Sequence, residues 1–154
     1  QRVAENAGLS SSEGVEAGLT ATFGAAGKSI TGLENAKSQL MLFETLDPAT
    51  QRALLVNAAR NADHAVRDVK AMTAAWSRGD TGTLARIINE DVDSVPAARK
   101  AILTDRNRRW TTWVETRLGK PGTVLMAVGA GHLVGDDGVP AMLVGDGHGV
   151  TRVQ

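Results

Sequence analysis

The chain has 154 residues, and its 17 lysines and arginines balance 17 aspartates and glutamates to a formal net charge of zero. That length suits one domain with a real core, and the balance removes the electrostatic case for a nucleic-acid or acidic-membrane partner. Cysteine and tyrosine are absent and histidines number only three, so disulfides and cysteine-ligated metals are excluded and any acid–base or metal chemistry leans on carboxylates.

From the N-terminus, Ser10-Ser-Ser-Glu13 is a capping-box pattern, and Val15, Leu19 and Phe23 follow four apart. That spacing predicts a helix from Ser12 to Ala25, closed by Gly27. Lys28–Leu33 reads as a short strand ending at Glu34, and Asn35 opens a helical stretch carrying Leu40, Leu42 and Phe43. Asp47-Pro48 is a helix start, with Asp as cap and Pro where its missing N–H costs nothing. The helix after it has the most regular period, Leu54, Ala58, Ala62, Ala65, Val69, Met72 and Trp76, and Gly79 stops it.

Asp80 caps a short helix with Leu84, Ile87 and Ile88. Ser94-Val-Pro96 starts another, through Leu103, Arg106, Trp110, Trp113 and Arg117 to Gly119. Lys120-Pro-Gly122 is a turn, Thr123–Val128 a buried strand, Asp137–Leu143 a short helix, and Val150–Val153 a last strand. The order implies a single domain over residues 1–154 of the α/β class: helix-rich, with a small, mostly parallel sheet and a C-terminal right-handed βαβ unit. Three strands are few for this length, so the sheet is expected to belong to a larger one, completed by residues upstream of Gln1 or by a second subunit. No apolar run is long enough to serve as a transmembrane segment.

The chemistry concentrates in Val124-Leu-Met-Ala-Val-Gly-Ala-Gly-His132-Leu-Val-Gly-Asp136-Asp-Gly138, where an apolar run empties into glycines, one histidine and two acids. Glycines let backbone approach a ligand, and His132 would stand at the carboxyl end of a strand, where open α/β sheets bind ligands. His132 either tethers a loop or acts as metal ligand or general base, with Asp136 and Asp137 near enough to orient it. Glu34 holds the matching place on the earlier strand, as a helix-terminal acid or as a partner of His132, with Gln39 as a supporting polar group. Arg106 lies in the apolar stripe Leu103, Arg106, Trp110, Trp113, where a guanidinium must reach water or meet a buried acid. Asp105-Arg106-Asn107-Arg108-Arg109 is also readable as a solvated helix face, but Arg106 is expected inward, against Glu34 or an anionic ligand. His64 and His148 read as exposed and loop histidines, and no GxSxG, P-loop or GxGxxG pattern occurs.

Gly32-Leu-Glu34 with Gln39-Leu40, Asp105-Arg-Asn107, Gly129-Ala-Gly-His132-Leu-Val-Gly135-Asp-Asp-Gly138 and Gly147-His-Gly-Val150 occur in that order. Together they resemble the TraB/GumN family, which includes the PrgY pheromone-shutdown proteins and the Tiki proteases, and specifically the C-terminal portion of its domain. Tiki members are membrane-tethered, metal-dependent peptidases in which a Gly-x-x-His element occurs in each half with acidic partners. The resemblance implies a metal-dependent hydrolase, of peptidase type, acting on a peptide or small-molecule substrate. It makes His132 and Glu34 metal ligands and places Glu34, Arg106, Asn107 and His132 in the catalytic group. Nothing before Glu34 reads Gly-x-x-His. Mn, Co or Zn is therefore expected in a full-length protein and none bound to this chain alone, with the missing N-terminal half as a partner. Many GumN-type members are exported or lipid-anchored, which implies an extracytoplasmic, periplasmic or membrane-anchored location. The reading from a different class is a non-enzymatic protein that binds a peptide or signal, or inhibits, through the same cleft.

Overall fold

The structure, a computed structural model, describes Ser10 and residues 14–153, the side chain of residue 91 excepted. Its regular structure is helical: α1 Val15–Ala25, α2 Ala36–Glu44, α3 Pro48–Asn61, α4 Ala65–Ser77, α5 Thr81–Asp93, α6 Pro96–Arg99, α7 Asp105–Leu118 and α8 Val139–Gly145. A 3-10 turn, Ala62–His64, joins α3 to α4, so the single long helix expected from Asp47 onward is two helices around a tightened turn. A π-helical turn, Lys100–Thr104, joins α6 to α7, and a further 3-10 turn spans Ala130–His132. The expected capping box falls largely outside the described residues.

Local signals set the helix starts. Asp47 accepts from the backbone N–H of Ala49 and Thr50, both at 3.0 Å, Asp80 from Thr83 at 3.0 Å, and Asn35 from Ser38 at 2.8 Å. Each side chain satisfies N–H groups that have no partner within the helix.

The α/β expectation is overturned. Among the described residues there is no strand and no sheet, and so neither a parallel pair nor a βαβ unit. Residues 28–33, 123–128 and 150–153 carry the β-favouring side chains and are irregular rather than laddered. Their apolar groups are not buried on a pleated surface: Ile30 is 53 % exposed, Leu125 56 % and Val153 94 %. Such residues favour strands through packing on neighbouring strands, which these runs lack here, and intrinsic preference alone does not make a sheet. With no sheet, the argument for an unfinished sheet edge also lapses.

Packing is instead helix on helix. Leu46, Val95 and Ala98 form one buried cluster, with Ala53, Leu54, Ala101 and Ile102 against it. Around α7 a second group is buried, Leu103, Trp110, Val134, Val139 and Met142, with the Thr111 hydroxyl 3.7 Å from the Met142 sulfur. The face α7 buries is Asn107, Trp110 and Thr111, whereas Trp113 is 38 % exposed. The helix is thus rotated by about one residue from the stripe that apolar spacing suggests, because two of its buried residues are polar.

Candidate functional site

Three segments meet at the start of α7: the loop ending at Glu34, α7 itself, and the turn after residue 128. The turn is seated by its glycines. A Cβ on Gly131 would lie 2.7 Å from the Ile88 Cγ2 on α5, and one on Gly138 would lie 2.8 Å from the Val134 carbonyl oxygen. Gly135, at φ +79°, takes the left-handed backbone that a glycine adopts without strain. Gly129 is ordinary extended backbone, φ −57° and ψ 142°, and its carbonyl accepts the His132 N–H at 2.9 Å.

Arg106 and Glu34 form the centre. The Arg106 Nη2 donates to Glu34 Oε2 at 2.7 Å, and Nε reaches Oε1 and Oε2 at 3.2 and 3.0 Å. The pair is largely buried, with side chains 13 % and 10 % exposed. Arg109 donates to Oε1 at 3.3 Å, and Gln39 to Oε2 at 3.4 Å. Burial pushes the Glu34 pKa up, but the bonds and charge of Arg106, with Arg109 and Gln39, outweigh it and hold the carboxyl below its ordinary 4.5.

His132 joins through both ring nitrogens. Its Nδ1 lies 2.6 Å from Asn107 Oδ1, and its Nε2 lies 3.3 Å from Arg106 Nη1, which also donates to the Ile102 carbonyl at 3.1 Å. Asn107 Nδ2 donates to the Asp137 carbonyl at 2.7 Å, and that fixes the amide. Asn107 Oδ1 therefore faces the ring, Nδ1 carries the proton, and Nε2 presents its lone pair to Arg106. Trp110 lies beneath both partners: its ring centroid is 4.5 Å from that of His132 and 4.9 Å from the Arg106 Cζ. Burial, then the Arg106 charge, pull the His132 pKa from 6.5 to about 4 against the opposing effect of Glu34, so the ring is neutral near pH 7.

The Asp137 carboxylate is itself clamped, Oδ1 by Arg99 at 2.6 Å and Oδ2 by Thr104 at 2.7 Å, while Arg99 also pairs with Asp93. Its main chain is what steadies Asn107.

The structure thus brings Glu34, Arg106, Asn107 and His132 into one cluster, though not at a sheet edge. His64 is exposed and lies elsewhere, and His148 pairs with Glu115 at 3.3 Å. Sequence reasoning missed Arg109 as a second cation on Glu34, and Trp110 as the surface under the imidazole. Aromatic spacing on α7 carried that second signal.

The expected metal ligands do not fit a divalent ion as they stand. The lone pair a metal would need on His132 Nε2 faces a guanidinium, and both Glu34 oxygens are held by arginines. Among the described residues no three His, Asp or Glu side chains are grouped to hold a metal ion.

A family model described as the TraB/PrgY/gumN family matches residues 1–152. No curated protein and no solved structure matches the chain.

Proposed function

Because the chain belongs to the TraB/PrgY/gumN family, we propose that it is a hydrolase cleaving an amide-type bond in a peptide or small-molecule substrate. His132 serves as proton acceptor in this reading and Arg106 as the group that polarises the carbonyl. One observation carries the proposal: a neutral imidazole locked in one tautomer, Nδ1–H on Asn107 and the Nε2 lone pair directed outward at a guanidinium. A base must offer such a lone pair to take a proton from water. Glu34 anchors Arg106 through Nε and Nη2 and the Ile102 carbonyl accepts from Nη1, so the Nη1 edge that faces the ring is the donor a substrate oxygen would compete for.

The test is a mixed-sequence peptide library read by mass spectrometry, with wild type, His132→Gln and Arg106→Lys. Cleavage by wild type and its loss in His132→Gln are expected. No products, or undiminished cleavage by His132→Gln, overturns the assignment.

A second reading has its own observation. The polar atoms of Glu34, Arg106, Asn107 and His132 that face one another are already paired within the chain. Two shallow, open surface grooves lie elsewhere, beside Pro48, Arg52 and Val56 on α3 and beside Ser38, Met41 and Thr45 around α2. On that reading the cluster pins loops together and a peptide is bound or sequestered in a groove without being cut. Labelled peptide retained equally by wild type and His132→Gln, with no products, selects it. The family resemblance brings an extracytoplasmic placement into the same proposal, to be checked by fractionation; no helix among the described residues is long and apolar enough to cross a membrane.

A further inference from the structure

We propose that Arg106 is the resident cation of this site: its guanidinium takes the place between His132 and Glu34 that a divalent metal would take, and its removal uncovers a metal-binding pair. The proposal goes beyond the hydrolase reading and is tested without reference to cleavage.

A metal bridging an imidazole and a carboxylate bonds to one ring lone pair and one carboxylate lone pair. Arg106 holds both kinds at once, Nη1 at 3.3 Å from His132 Nε2 and Nη2 at 2.7 Å from Glu34 Oε2. It cannot surrender its charge by deprotonation, so the carboxylate stays neutralised at every working pH. Nor is it loosely placed. Nε is on Glu34, Nη1 is also on the Ile102 carbonyl, and the guanidinium carbon stands 4.9 Å over the Trp110 ring.

A divalent ion entering beside this guanidinium would meet a like charge in a buried setting, with Arg109 adding a second cation on the same carboxylate. Either the arginine stays and the metal does not bind, or the arginine must leave the pocket it packs in. The set without it is a carboxylate left with Arg109 as its one cation, beside an imidazole whose tautomer Asn107 has fixed, with Nε2 the deprotonated nitrogen. Second-shell orientation of this kind suits a histidine ligand.

The test is isothermal titration of Co²⁺, Mn²⁺ and Zn²⁺ into wild type, Arg106→Met and Arg106→Met/His132→Gln, with His132 ring resonances followed by NMR using Zn²⁺. Wild type is expected to show no saturable ion that perturbs His132. Arg106→Met, which keeps most of the stem volume, is expected to bind one ion at least about tenfold tighter than wild type, once the like charge between His132 and Glu34 is gone and only the more distant Arg109 remains. The double variant should lose that gain. Arg106→Gln repeats the measurement if the methionine variant does not fold, with circular dichroism establishing which of them does. One saturable ion on wild-type His132, or a folded Arg106 variant with no gain, overturns the proposal. Should neither variant fold, the wild-type titration decides it alone, an unperturbed His132 supporting it and a perturbed one refuting it.

Discussion

Asn107 holds His132 in one tautomer by having no other way to bond. Its Oδ1 lies 2.6 Å from the ring Nδ1, and its Nδ2 donates to the Asp137 carbonyl at 2.7 Å. A backbone carbonyl can only accept, so a flipped amide would set oxygen against oxygen. Asn107 is completely buried, which leaves neither end a water to turn to.

Replacing Asn107 with Ala should therefore strand the Asp137 carbonyl and the imidazole N–H together. The expected destabilisation is about 2–6 kcal/mol, summing two buried groups left unpaired, and denaturant unfolding measures it. Asn107→Asp places a carboxylate on Nδ1–H and should raise the His132 pKa, since an adjacent anion favours the imidazolium. NMR titration of the ring checks that direction, and an unmoved pKa would count against the contact.

Arg106→Ala should cost roughly 3–5 kcal/mol, the range for breaking a buried ion pair by removing one partner. The carboxylate left behind retains Arg109 and Gln39, so the lower part of the range is expected. Arg106→Met with Glu34→Gln removes both charges and should recover much of the loss. A double-mutant cycle by thermal unfolding, with Arg106→Met and Glu34→Gln as the single variants, gives the coupling, and a double variant as unstable as Arg106→Met would show that removing the Glu34 charge recovers nothing.

Acid should weaken the fold in two stages. The His132 pKa falls from 6.5 to about 4 on folding, so its contribution is fully present above pH 6.5 and is lost as pH drops through 4. Glu34 is also lowered from 4.5, and its contribution disappears below that, as pH falls through its folded value. Unfolding free energy should rise between pH 4 and pH 6.5 and then level. His132→Gln should flatten that rise, and a profile unchanged by the substitution would assign the slope to another group.

Three glycines separate cleanly. Gly131→Ala and Gly138→Ala drive a methyl into Ile88 and into the Val134 backbone, and each should cost about 1–3 kcal/mol. Gly129→Ala meets nothing nearer than His132 Cδ2 at 4.0 Å and has a backbone any residue adopts, so it should be neutral or stabilising by up to about 1 kcal/mol. Thermal melts of the three rank them, and a costly Gly129→Ala would show a role outside local geometry.

What could be read in advance was what is local or forced. Asp47, Asp80 and Asn35 announce helix starts because a cap acts within three residues. The meeting of Arg106 and Glu34 was legible because a guanidinium in an apolar stripe has few destinations. The sheet was misread, since Val124, Leu125 and Ile30 state a preference that only neighbouring strands could fulfil. The face of α7 was read one residue off because Asn107 and Thr111 are core residues that polarity disguises. The packing of Gly131 on Ile88, more than forty positions away, has no counterpart in any short window.

The π turn at Lys100–Thr104 makes the site a matter of angular phase. Such a turn behaves as one residue inserted into an otherwise regular helix, and each residue advances an α-helix by about 100°. Excising one residue there would restore a regular α-helix from Pro96 to Leu118 with the stretches on either side kept near their present phase, because the widened turn already absorbs the extra residue. Arg106 and Asn107 would then keep facing Glu34 and His132, whereas a second residue added there would turn them away by about 100°, although no contacting residue had been altered. The cluster is thus specified by a count of residues as much as by their identities, and a length change can erase it without touching a single side chain in it.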